Sequence, residues 1–132
     1  MNQRDEFRKV FFNAWRKYKQ QLPVEPLEAQ LIEIISLHPE YHTLLEQPEN
    51  TPIEEESNPF LHMSLHLALR EQIATNRPVG IKTLYHALGE RFGDNHMAEH
   101  QMMEQLADTL WQAQQSGVMP DEKMYLEKLM RL

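Results

Sequence analysis

The chain has 132 residues, no cysteine and a formal net charge of −7. This length suits one domain with a real core, and we expect a single helical domain over residues 1–132. The acidic balance argues against nucleic acid and anionic membranes as partners, and the absence of cysteine excludes disulfides, thiolate metal ligands and a cysteine nucleophile.

The sequence also bears on location. No apolar run is long enough to span a bilayer, and the first residues, MNQRDEFRK, lack the apolar region of a signal peptide. Because a chain without cysteine suits a reducing compartment, we expect a cytoplasmic protein.

The first predicted helix covers residues 5–21, with apolar side chains at steps of three and four residues and basic side chains on the opposite, solvated face. The second begins near Pro26 and meets Pro39, where we expect a kink or a break followed by a new short helix. His38 then lies at a junction and His42 on a helical turn. Residues 47–57 carry two prolines and four glutamates, and we expect a mobile acidic surface loop.

Four further helices are predicted, at residues 58–76, 81–92 and 95–116 and in a short segment after Pro120. Asn58 and Asp94 are suited to cap helix N-termini, and Gly93 and Gly117 to end helices. No segment shows the alternation of a strand. The predicted fold class is therefore all-α, a helical bundle of about five to six helices, mostly antiparallel.

Six of the seven histidines form pairs with a spacing of four residues. The pairs are His38 and His42, His62 and His66, and His96 and His100. Because four residues make about one helical turn, both imidazoles of a pair leave the helix on the same side. The third pair continues at the same step to Glu104, which adds a carboxylate to the row.

Helical rotation of about 100° per residue predicts which way these side chains point. On the helix over residues 95–116, the row of His96, His100 and Glu104 shares a face with Met103, Ala107, Leu110 and Trp111. On the helix over residues 58–76, His62 and His66 share a face with Leu65, Leu69 and Ile73. Both rows should therefore face the core.

The same rotation sorts the neighbouring polar residues. Glu99 should lie at the rim of the site, and Arg70 near its edge, where it could pair with Glu104 or with an anionic ligand. His86 should lie on the surface, away from the site.

Core-facing imidazoles need partners, because a buried polar group without one costs ~1–3 kcal/mol. A shared metal ion would satisfy several of them together, and a set of nitrogen and oxygen ligands suits iron, manganese or zinc. Six histidines with Glu104 suffice for two ions, or for one ion with surplus groups around it. The sequence thus predicts a histidine-rich, non-haem mono- or dinuclear site.

Several kinds of catalytic site are absent from the sequence. Met63 and Met97 follow the first histidines of their pairs, where a zincin peptidase needs glutamate. There is no glycine-rich phosphate loop and no nucleophile elbow. The sequence leaves open whether a reaction is catalysed, which small molecule would be its substrate, and whether the chain forms a homo-oligomer.

Several long strings resemble an uncharacterised bacterial family, domain of unknown function 1841, over nearly the whole chain. They are LHPEYH at 37–42, NPFLHMSLHLALREQ at 58–72, RPVGI at 77–81, HMAEH at 96–100 and LWQAQ at 110–114. This resemblance implies no activity. The ligand inventory also resembles that of hemerythrin-like and DinB-like helical bundles, which implies a metal-binding bundle and no particular reaction.

Two functional interpretations follow. The first is a metal-binding helical bundle with ligands drawn from His38, His42, His62, His66, His96, His100 and Glu104. The second is a non-enzymatic interaction or structural protein, in which the paired histidines form a buried polar network or a structural zinc site.

Overall fold

The computed structural model describes residues 3–47 and 58–132. Its helices are α1 (Gln3–Lys19), α2 (Pro26–Ser36), a 3-10 turn (Pro39–Tyr41), α3 (His42–Leu45), α4 (Pro59–Thr75), α5 (Ile81–Phe92), α6 (Asn95–Ser116) and α7 (Glu122–Met130). Apart from Gln47, the predicted acidic loop at 47–57 lies outside the described residues.

The described residues contain no strand, which confirms the all-α prediction. Residues 3–47 and 58–132 contain seven α-helices where five to six were predicted, because the helical segment around Pro39 divides into α2, the 3-10 turn and α3. The proline has no backbone N–H to donate and crowds the preceding helical turn, so α2 cannot continue through it. The mostly antiparallel arrangement stays a prediction.

The predicted helix ends are confirmed at their capping residues. The Asn58 carboxamide oxygen accepts the N–H groups of Phe60 and Leu61 at 3.0 and 3.2 Å. The Asp94 carboxylate accepts the N–H of His96 at 2.9 Å. Gly117 ends α6 with a φ of 67°, a left-handed conformation that glycine adopts without strain.

The chain divides into two compact units, residues 1–67 and 68–132, with the boundary inside α4. The prediction of one domain over the whole chain stays a prediction. Among the described residues, no helix combines the length and the apolar character that crossing a membrane requires.

The first unit has one apolar core built from α1, α2, α3 and the beginning of α4. Aromatic rings dominate it: the rings of Phe11 and Phe60 meet edge to face with their centroids 5.3 Å apart. Such pairs add to the free energy gained by burying apolar area. The buried members of this core are Phe11, Phe12, Ala14, Trp15, Leu31, Ile34, Ile35, Leu45, Phe60 and Met63.

In the second unit, α6 packs against α5 and α7. Its buried residues are Ala98, Glu99, Met102, Met103, Leu106 and Thr109. The predicted apolar face of this helix was wrong in part, since Leu110 and Trp111 are 43% and 59% exposed. Apolar spacing alone allowed two neighbouring faces, and packing against α5 and α7 selects the face of Met102 and Leu106.

Candidate metal centre

Two histidines of the first unit lie one turn apart on α4. This helix begins at Pro59, and the Asn58 cap fixes its first turn. His62 is half-buried, whereas His66 is fully buried. Because residues four apart share a helix face, both imidazoles project in the same direction. The predicted pairing of these two side chains is confirmed, with ring centroids 4.8 Å apart.

The third histidine, His38, lies where α2 ends. Its backbone N–H donates to the Ile35 carbonyl at 3.0 Å, and Pro39 then begins the 3-10 turn. The residue has an extended φ of −126°, so the chain leaves the helix there. The His38 side chain is only 2% exposed. The end of α2 thus places one imidazole where solvent barely reaches it.

These three imidazoles meet at their Nε2 atoms. His38 Nε2 lies 3.1 Å from His62 Nε2 and 3.2 Å from His66 Nε2. Within the first unit, the ligand nitrogens of the three residues all lie within 4.8 Å of one another. No Asp or Glu among the described residues belongs to this group. We call His38, His62 and His66 the histidine cluster.

A hydrogen bond at the other side of the ring sets the tautomer of neutral His38. Its Nδ1 lies 2.9 Å from the Ile34 carbonyl oxygen, which can only accept a proton. Nδ1 therefore carries the hydrogen, and Nε2 presents a lone pair to the cluster. A backbone carbonyl that holds Nδ1–H in this way is the usual support of a metal-binding histidine.

The spacing of the nitrogens suits a shared cation. Neighbouring imidazole nitrogens about 2.0–2.1 Å from one ion lie roughly 2.8–3.4 Å apart at tetrahedral or octahedral angles. The two Nε2 separations at His38, 3.1 and 3.2 Å, fall within this interval. Direct hydrogen bonds alone satisfy the three imidazoles less well. The single Nε2 lone pair of a neutral His38 cannot accept a full hydrogen bond from both His62 and His66. The histidine cluster could therefore hold a metal ion.

Tyr41 restricts the orientation of His38, a contact that spacing alone did not indicate. The two rings stack with centroids 5.2 Å apart and an angle of 10° between their planes. The 3-10 turn produces this contact, since the Tyr41 N–H donates to the His38 carbonyl at 3.0 Å. Burial, and then the negative charge of Glu40, raise the pKa of the Tyr41 phenol above its ordinary value of 10.0.

His42, a predicted ligand, has other contacts. Its Nε2 lies 2.8 Å from the Ile35 carbonyl oxygen, so this nitrogen donates a proton and has no lone pair for an ion. The ring packs against Trp15 with centroids 4.5 Å apart. The structure thus ties this side chain to α1 and to the end of α2. Residues 38 and 42 do not share a helix face, because Pro39 interrupts the helix between them.

His96 and His100 lie together in the second unit, on the first turns of α6. Their ring centroids are 4.2 Å apart, and both side chains are half-buried. Glu104 follows at the same spacing but is exposed, so the expectation that its carboxylate faces the core was wrong. Most of the residues that α6 buries, among them Met102 and Leu106, lie on a different face of the helix from Glu104. His86 is exposed, as predicted.

Glu99 was predicted at the rim and is instead buried, at 3% exposure. Arg70 neutralises it: the guanidinium Nε donates to one carboxylate oxygen at 2.7 Å, and Nη2 to the other at 3.4 Å. Arg70 therefore pairs with Glu99, whereas the sequence had left Glu104 or an anionic ligand as possible partners. Burial and, second, the Glu99 charge raise the pKa of the nearby Tyr85 phenol. The sequence signal for this pair was the match of opposite charges on two amphipathic helices, which many other pairs also satisfy.

Comparison with known proteins identifies the family and nothing further. A protein-family model described as Domain of unknown function (DUF1841) matches residues 3–131, so the chain belongs to this family. No curated protein and no solved structure matches the chain.

Proposed function

We propose that this DUF1841 protein is a metal-binding protein whose first unit holds one divalent transition-metal ion on the histidine cluster. The supporting observation is that the Nε2 atoms of three histidines lie close together. The Ile34 carbonyl sets the tautomer of one of these histidines, His38. The half-buried His62 offers a route for the ion from solvent, whereas His38 and His66 are shielded from water.

The donor set narrows the choice among iron, manganese and zinc. Imidazole suits zinc and ferrous iron, whereas manganese favours carboxylate and water oxygens. Because the cluster contains no carboxylate among the described residues, zinc or ferrous iron is the expected occupant. Three imidazoles whose Nε2 atoms lie this close together would hold one ion, which favours a mononuclear centre.

His96 and His100 stay in the proposal as further ligands on the ground of their sequence pattern. A fourth histidine would complete the closed ligand set of a structural zinc site. Three protein ligands would instead leave a position for water, as in catalytic zinc sites. The His100→Ala variant separates these cases: loss of the ion indicates a fourth ligand, and retention indicates an open position.

Metal analysis of protein purified without a polyhistidine tag tests the proposal. We expect about one equivalent of zinc or iron in the wild-type chain. Zinc affinity should fall at least about tenfold in His38→Ala and in His66→Ala, because even the loss of a supporting group around a metal costs about 10–100-fold. His86→Ala, which removes an exposed histidine, is the matched control and should keep the ion.

The second candidate is a structural polar network without an ion. The short Nε2 separations themselves favour it, because one of the two could be a direct hydrogen bond between imidazoles. In that case the wild-type protein would contain no metal and would bind added zinc no more tightly than the His66→Ala variant. That result would remove the metal proposal and leave an interaction or structural protein.

A further inference from the structure

A second candidate site lies in the first unit, away from the histidine cluster. It is a cavity of 320 Å³ between the second half of α1 and the end of α3. This volume is at the lower end of the range of about 300–1,000 Å³ that small-molecule sites occupy. Its lining residues include Phe12, Trp15, Arg16, Lys19, Leu45 and Glu46. We call it the α1–α3 cavity.

The lining combines apolar side chains, two cations and the Glu46 carboxylate. Phe12, Trp15 and Leu45 belong to the core and are each at most 4% exposed, so they form a rigid apolar wall that presents only a small area to the cavity. Arg16 and Lys19 are exposed and bring two positive charges to the same cavity. Lys19 Nζ lies 5.8 Å from the centroid of the Trp15 ring, so one cation is held beside the wall.

The basic residues on α1 differ in how closely they are paired with other side chains. Lys17 is tied to Glu28 by contacts of 2.9 and 3.0 Å and does not line the cavity. Lys19 pairs with Glu46 at 3.4 Å, but both side chains are about half-exposed, and such ion pairs contribute little. Arg16 makes a long contact of 3.5 Å with the neutral Asn13 side chain. Two cations on an acidic protein are thus available to an incoming anion.

We propose that the α1–α3 cavity binds a small organic monocarboxylate with an apolar body. The carboxylate would lie against Arg16 and Lys19, since a guanidinium forms paired hydrogen bonds with a carboxylate. The apolar body would pack on Trp15, Phe12 and Leu45. Inorganic phosphate would match only the positive charge of this site, and a neutral apolar molecule would match only its apolar wall. A site with both features favours an anion that also has an apolar body.

Fluorescence of Trp15 provides the measurement. Trp111 is the other tryptophan and is 59% exposed, so Trp111→Phe leaves Trp15 as the sole tryptophan without disturbing the core. Titration of this protein with 3-phenylpropanoate should give a saturable change in emission. The neutral 3-phenylpropan-1-ol and inorganic phosphate should each bind at least about fivefold more weakly. Calorimetry of the same titrations gives affinities that do not depend on the emission of Trp15.

Removal of the cations and removal of the Glu46 carboxylate should change the affinity for 3-phenylpropanoate in opposite directions. Replacing both cations, in Arg16→Gln with Lys19→Gln, should weaken 3-phenylpropanoate binding at least about tenfold. Glu46→Gln should strengthen it, because the carboxylate that competes for Lys19 is removed. Arg91→Gln changes net charge by the same amount as a single cavity variant, at an exposed position of the second unit, and should have no effect.

Two results would overturn the proposal. One is the absence of saturable 3-phenylpropanoate binding up to millimolar concentration in the Trp111→Phe protein. The other is equal affinity in the parent and in the double cation variant. Trp111→Phe and the double cation variant both change exposed side chains, and the thermal unfolding midpoints of these proteins show whether the fold is retained. A single Arg16→Gln variant provides the same comparison if the double variant unfolds.

Discussion

At the scale of single residues, the backbone determines what each histidine can do. The Ile34 carbonyl accepts a hydrogen bond from Nδ1–H of His38 and leaves the Nε2 lone pair of that ring facing the histidine cluster. The Ile35 carbonyl instead accepts a hydrogen bond from Nε2–H of His42. Two consecutive carbonyls at the end of α2 therefore give two histidines of one sequence motif different chemical roles.

The different role of His42 can be tested with His42→Phe. The phenyl ring keeps the packing against Trp15 but loses the hydrogen bond to the Ile35 carbonyl. We expect the free energy of unfolding to fall by about 0.5–1.5 kcal/mol, the usual net contribution of one hydrogen bond. The metal content should stay at the wild-type value. Loss of the ion to the extent seen in His38→Ala would instead show that His42 is a ligand.

At the scale of elements, a polar contact joins α1 to the first turn of α2. The Glu25 N–H donates to the Glu28 carboxylate at 2.8 Å, and Lys17 Nζ lies 2.9 Å from the same group. The Glu25 hydrogen bond, and then Lys17, lower the pKa of Glu28 below its ordinary value of 4.5. The same two contacts satisfy a donor at the start of α2 and hold that helix, and so His38 at its other end, in place.

The contact of Glu28 with Glu25 and Lys17 predicts that stability depends on pH. A carboxyl group whose pKa is lower in the folded state stabilises the fold at pH values above its unfolded pKa, and this contribution disappears as pH falls through the folded pKa. Glu28→Gln should therefore unfold more easily than wild type at pH 7, and the difference should shrink as pH falls below about 4.5. Urea unfolding at a series of pH values measures it. A difference that persists at pH 2 would assign the effect to something other than the carboxylate charge.

At the scale of the whole molecule, an ion that binds only the folded chain adds to stability by mass action. Zinc at a free concentration of 100 times its dissociation constant should add about 2.7 kcal/mol. Thermal unfolding with and without a chelator measures this gain. We expect the chelator to lower the melting temperature of the wild-type protein and to change that of His66→Ala little. Equal effects on both proteins would contradict a metal centre at the histidine cluster.

The same gain should depend on pH in a definite direction. Only neutral imidazole binds a metal, and free imidazole side chains protonate near pH ~6.5. The stabilisation by zinc should be present at pH 7.5 and decline as pH falls through this range, because protons then compete for the same Nε2 atoms. His66→Ala at each pH is the control, since its remaining dependence on pH reports groups outside the cluster.

The sequence by itself determined the helices, most of their ends and the pairing of His62 with His66. These features depend on interactions within a few residues: Asn58 and Asp94 cap the turns that follow them, Pro39 interrupts a helix wherever it occurs in one, and a spacing of four residues puts two side chains on one face. The same local rules predicted that His38 lies at a junction.

Tertiary structure alone decided which histidines meet and which carboxylate is buried. His38 approaches His62 and His66 across 24 and 28 residues of chain, and no local spacing encodes that contact. The rotation of α6 depends on its packing against α5 and α7, which buries Glu99 and exposes Glu104. A helix with apolar residues on adjacent faces specifies its own shape, but the side that faces inward depends on the helices that pack against it.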